Sequence, residues 1–62
     1  MTDLFYCIIE TPNSDTHTVE YDSEIAEIDH AWSVYDVERN ITTYVTDDYD
    51  NILWKSPNCE KI

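Results

Sequence analysis

Sixty-two residues suffice for one small domain, which buries only about 60% of the surface its unfolded chain exposes, so a deep catalytic cleft is not expected. The chain has no Gly, which removes dinucleotide fingerprints, P-loops and the EF-hand turn. Its 14 acidic and 3 basic residues give a net charge of -11, which excludes a polyanionic partner such as DNA, RNA or anionic lipid.

Leu4-Phe5-Tyr6-Cys7-Ile8-Ile9-Glu10 is a continuous aromatic and β-branched run, the pattern of a central strand covered on both faces or nearly so. Thr11 to Asp15 is a turn cluster built on Pro12, with Asn and Asp expected at the tight positions. A second strand follows over residues 16–21, and its alternation puts His17, Val19 and Tyr21 on one face and Thr16, Thr18, Glu20 and Asp22 on the other. At Ser23 the period changes. Ser23 is a good N-cap, Glu24 suits the first turn, and Ile25, Ile28 and Trp32 recur at helical spacing, predicting a short helix over about residues 24–31 whose Trp32 packs on the sheet.

The helical pattern can be continued through Tyr35, but 32–37 is rich in strand formers, so a strand is expected from about Ser33, pairing with a returning strand at 41–46 through a hairpin in which Asn40 takes the left-handed position. Asp47 to Asn51 forms the next turn, and Ile52 to Lys55 a last short strand in which Trp54 is a partly exposed anchor. The expected fold class is therefore α+β. A small antiparallel sheet in ββαβββ order carries one short helix on one face, in a single domain over residues 1–55, with 56–62 as a loose tail.

No nucleophile or acid/base signature stands out, and neither catalytic residues nor a cofactor are expected. The acids lack the enclosed pocket that separates the pKa values of catalytic carboxylates, and Cys7 sits in an apolar strand. Cys7, His17, His30 and Cys59 have the inventory of a zinc site but none of its short paired spacings, so no metal is expected. Asp47-Asp48-Tyr49-Asp50 lacks the glycine and the bidentate Glu of a calcium loop. With no basic leader and no apolar run longer than six residues, the chain is expected to be cytoplasmic, to have no membrane partner, and to keep Cys7 and Cys59 as free thiols.

What remains is the arrangement of charge. Residues 1–38 hold ten acids and no Lys or Arg, so their carboxylates have no internal basic partner before Arg39. Glu20 and Asp22 fall about 6.7 Å apart on one strand face, and Glu24, Glu27 and Asp29 extend the line along the helix. Duplex DNA also carries regularly spaced charges, about 3.4 Å apart on each strand. Asp47, Asp48 and Asp50 form a second patch with Tyr49 as an anchor between them.

In size and composition the chain resembles the small phage-encoded DNA-mimic proteins that inhibit restriction enzymes, uracil-DNA glycosylase, CRISPR effectors, nucleases or nucleoid proteins. Tyr21-Asp22-Ser23-Glu24-Ile25-Ala26-Glu27 looks like the acidic Glu-Ser-Ile segment of uracil-DNA glycosylase inhibitors, with Glu24 inserted between Ser23 and Ile25. The resemblance implies a non-catalytic inhibitor whose partner is a basic nucleic-acid-binding protein. Two alternatives carry the same composition: an antitoxin or immunity-type protein that covers a basic toxin, and a structural protein that self-associates, as a homodimer, through Leu4 to Ile9 or the Trp54 edge strand.

Overall fold

A computed structural model describes residues 4–59. The elements in chain order are β1 (Phe5–Glu10), β2 (Thr16–Tyr21), α1 (Glu24–Val34), β3 (Thr42–Thr46) and β4 (Ile52–Lys55). They form the expected α+β domain, an antiparallel sheet of order β2-β1-β3-β4 with the helix on one face. β1 is central, with β2 and β3 on its two sides. The β2–α1–β3 connection must therefore pass over β1, and this lays the helix across the sheet. Because β1 is flanked on both sides, self-association through Leu4 to Ile9 has no open edge to use, whereas β2 and β4 are the edges.

Without glycine, the turns place other residues at positive φ: Ser14 at 67°, Asn40 at 56° and Asp50 at 62°. Asn and Asp tolerate this region through local hydrogen bonding, and Asn40 takes the position its sequence predicts. In the first turn the left-handed residue is Ser14, not Asn13 or Asp15, because the Thr11 N–H donates to the Asp15 carbonyl and the Ser14 N–H to the Thr11 carbonyl, which bends the backbone at 14. Relief of that strain outweighs the extra freedom glycine gives the unfolded chain, so Ser14→Gly is expected to stabilise by about 0.5 kcal/mol. A urea midpoint raised at constant m would show it; a lowered midpoint would contradict it.

The core lies between α1 and one sheet face. Cys7, Val45 and Ala31 are fully buried, and Ile9, Val19, Ile28 and Trp54 pack around them. Register explains this grouping: Val19 and Val45 both pair with Cys7, and Trp54 pairs with Val45. By alternation Tyr6, Ile8, Thr18, Glu20 and Tyr44 point to the opposite face, which no element covers among the described residues. The continuous apolar run of β1 therefore corresponds to one covered face and one half-buried face, shielded by cross-strand neighbours and not by a second layer.

Three expectations are corrected. The helix continues to Val34, and the strand expected from Ser33 is reduced to a single bridge between Asp36 and Ile41, leaving four strands among the described residues. Here tertiary contact overrides propensity. Ala31 seats on β3, where its carbonyl accepts from Thr43 Oγ1 at 3.0 Å and from the Tyr35 N–H, while Ser33 Oγ donates back to the His30 carbonyl at 2.9 Å. The short 36–41 turn is held by Asp36, whose Oδ1 accepts from the N–H groups of Glu38 and Arg39 and whose Oδ2 lies 3.7 Å from Arg39 Nε.

The second correction is the helix face. Ser23 caps as expected, its Oγ accepting from the Ala26 N–H, but α1 turns Glu27 and Ala31 inward and leaves Ile25 81% and Trp32 58% exposed. The helix is rotated by about one residue, or 100°, from its apolar pattern. Ala31, with the smallest side chain available, allows the close approach to Thr43; Trp32 could not. The third is the tail. Ser56 and Cys59 are buried, and Ser56 and Asn58 bond into β3 and the 36–41 turn, so residues 56–59 are tied to the fold; 60–62 lie outside the described residues.

Candidate acidic interface

The acids of the first patch do not form one row. Glu20 projects from the uncovered face of the sheet; Asp22 is in the bend after β2, Glu24 in the first turn of α1 and Asp29 on its outer side, all exposed. None of these four forms an ion pair among the described residues. Glu27 leaves the patch altogether. It is fully buried against β1 and neither carboxylate oxygen has a hydrogen-bond partner, so it cannot act as a phosphate surrogate. Burial pushes its carboxyl up to about 7, a shift weakly opposed by the Cys7 backbone amide, which lacks hydrogen-bonding geometry toward it.

The Cys7 thiol is in turn pushed up to about 11, first by burial and then by the charge of Glu27. Cys7 is therefore a protonated, inert thiol at neutral pH. Both Cys7 and Cys59 are free.

The second patch is a built loop. Asp47 accepts from the N–H groups of Asn51 at 2.9 Å and Tyr49 at 2.8 Å and from Asn51 Nδ2 at 3.1 Å. The bond from the Asn51 backbone is the largest influence holding its carboxyl below the usual range, so it stays ionised while ordering the turn. Asp48 accepts from the Leu4 N–H and from the Tyr6 hydroxyl, each at 3.2 Å. Asp50 and Tyr49 are exposed, Tyr49 by 82%, at the loop tip.

Tyr6 was not legible as a site residue, yet it joins the two patches. Its phenol is raised above its ordinary value by desolvation first, then by the hydrogen bond to Asp48 and the charges of Asp48, Glu20 and Asp50. The signal lay in the register: Tyr6 pairs with Glu20 on one side and Thr46 on the other, immediately before the acidic loop. Two acidic groups result. Glu20 and Asp48 flank Tyr6 on the uncovered sheet face, with the charge of Asp50 acting from the loop, while Asp22 precedes the helix and Glu24 and Asp29 lie on it.

A second feature missed in the sequence is aromatic. Trp32, Tyr35 and Trp54 form a trio with ring centroids 5.9 Å (Trp32–Tyr35), 6.3 Å (Trp32–Trp54) and 6.2 Å (Tyr35–Trp54) apart. Trp32 thus packs at the rim of the sheet rather than beneath the helix, against the half-buried Trp54.

Among the described residues no three His, Cys, Asp or Glu side chains are gathered to hold a metal ion; His30 instead packs against the Tyr21 ring, with centroids 5.7 Å apart. No helix among them is long and apolar enough to cross a membrane. No protein-family model matches the chain, and no curated protein or solved structure matches it significantly.

Proposed function

We propose that this chain is a non-catalytic inhibitor that mimics the negative charge of DNA and occupies the DNA-binding groove of a host or defence nucleic-acid enzyme. One observation carries the reading. A charge of -11 is held on a folded body, with Asp22 in the bend before α1 and Glu24 and Asp29 on α1 exposed and without ion pairs among the described residues. Such a charge exceeds the ~2 to 8 units that keep a small domain soluble, and its self-repulsion costs stability that some use must offset.

Extent supports the reading: Glu24 and Asp29 are five residues apart on α1, a rise of about 7.5 Å and a turn of about 140°, so the helix carries negative charge on more than one side. The loop acids Asp48 and Asp50, with Tyr49 between them, add a second contact, and free thiols suit a reducing cytoplasm. Steering by charge speeds the encounter, and apolar contacts hold the complex.

The test is capture of a partner from host lysate, repeated with excess duplex DNA. DNA is expected to displace one captured protein. The Asp22→Asn/Glu24→Gln/Asp29→Asn variant is expected to bind it about tenfold more weakly, with a shallower dependence on salt. Capture indifferent to DNA would replace mimicry with toxin neutralisation, and an unchanged affinity in the triple variant would remove the helix acids from the contact.

A further inference from the structure

We infer that the surface formed by Trp32, Tyr35 and Trp54 at the C-terminal end of α1 receives an arginine side chain of the basic protein that the acidic face attracts. The inference rests on the charge-mimic reading and names the contact that holds the partner once charge has steered it. An indole 58% exposed contributes little to the core, and the fold does not need it there: Ala31 makes the close contact with β3 while Trp32 stands outside. Its ring is nevertheless held in place by Tyr35 and Trp54, so it is a preorganised aromatic surface and not a free side chain.

Three independent influences at this surface favour a cation. The faces of Trp and Tyr rings attract one through their quadrupole. The last turn of α1 is the negative end of the helix dipole and contains no basic residue of its own. Exposed Asp29 stands three residues before Trp32, a neighbour on the helix surface. A planar guanidinium can stack on an indole while bonding to a carboxylate, which a compact ammonium cannot do, so arginine is selected over lysine. The same charges oppose the other occupants: a second copy brings another -11, and a nucleic acid strand that could stack on the rings brings its phosphates.

The test titrates the full chain at low salt with two defined probes, hexa-arginine and hexa-lysine peptides, while following the indole N–H resonances by NMR. Hexa-arginine is expected to bind about fivefold more tightly than hexa-lysine and to shift the Trp32 resonance. Trp32→Leu, at an exposed position, is expected to abolish that preference while retaining the salt-dependent binding of both peptides, and the Asp22→Asn/Glu24→Gln variant, which keeps Asp29, to weaken both alike. Equal affinities with an unmoved Trp32 resonance, an arginine preference that survives Trp32→Leu, or no binding of hexa-arginine would each overturn the inference. The resonance shift in the unaltered chain requires no variant to fold. Displacement of the captured partner by DNA tests the charge-mimic reading separately, so either can fail alone.

Discussion

Replacing Glu27 with Leu is expected to stabilise the protein by about 3 kcal/mol in mildly alkaline buffer, a rise in Tm of about 15 °C, and to flatten its stability between pH ~4 and ~9. The cause is the carboxyl buried between α1 and β1, with no partner for either oxygen and a value pushed from 4.5 to about 7. The folded state binds this proton more tightly than the unfolded state. Below the unfolded value the group is neutral in both states and carries no ionic penalty. As pH rises from there, stability falls by about 1.4 kcal/mol per unit, and the loss is complete once pH passes the folded value near 7.

This is opposite in sign to an ordinary salt-bridged carboxylate. General self-repulsion among the other acids also eases at low pH, but it is shared by the variant, so the difference between the two profiles isolates Glu27. Glu27→Gln is expected to flatten the profile with a smaller gain, because its amide remains buried and unpaired. Urea midpoints across the range measure all three proteins. Parallel profiles for the unaltered chain and the Leu variant would show that Glu27 is hydrated in solution.

Ser56→Ala is expected to cost about 2 kcal/mol, a large effect for one oxygen atom. Ser56 Oγ accepts from the Thr43 N–H at 3.2 Å and donates to Asn58 Oδ1 at 2.7 Å; Asn58 Nδ2 then donates to the Ile41 carbonyl at 3.1 Å. The hydroxyl stands in for a strand carbonyl and continues the β3–β4 pairing beyond Lys55, beside the 2.8 Å bond from the Ser56 N–H to the Thr43 carbonyl. Alanine would leave the buried Thr43 N–H without an acceptor, and such a donor costs its full desolvation. Faster hydrogen exchange at Thr43 and a lowered urea midpoint are the expected readings. A loss below ~0.5 kcal/mol would mean that water replaces the hydroxyl.

Sequence pattern was most informative for strands and turns. The central position of β1, the extent of β2, the Ser23 cap, the left-handed Asn40 and the last strand at Ile52–Lys55 all follow from local chemistry. Strand faces were legible because a period of two leaves only two choices, and Val19 against Cys7 makes the choice. The charged surface was legible as composition but not as geometry. Glu20, placed with Asp22 by proximity in the chain, joins Asp48 beside Tyr6, because register brings together residues more than twenty positions apart.

Local chemistry by itself determined the α+β class, the order of most elements and the surplus of negative charge, since alternation, capping and charge are properties of neighbouring residues. Tertiary structure alone decided which side of α1 faces the sheet. A helix can rotate by about 100° per residue at little internal cost, so the outcome depends on where the smallest side chain admits a close contact. That contact is Ala31 on Thr43. It buries Glu27 and leaves Trp32 outside, with its ring against Trp54 at the sheet rim.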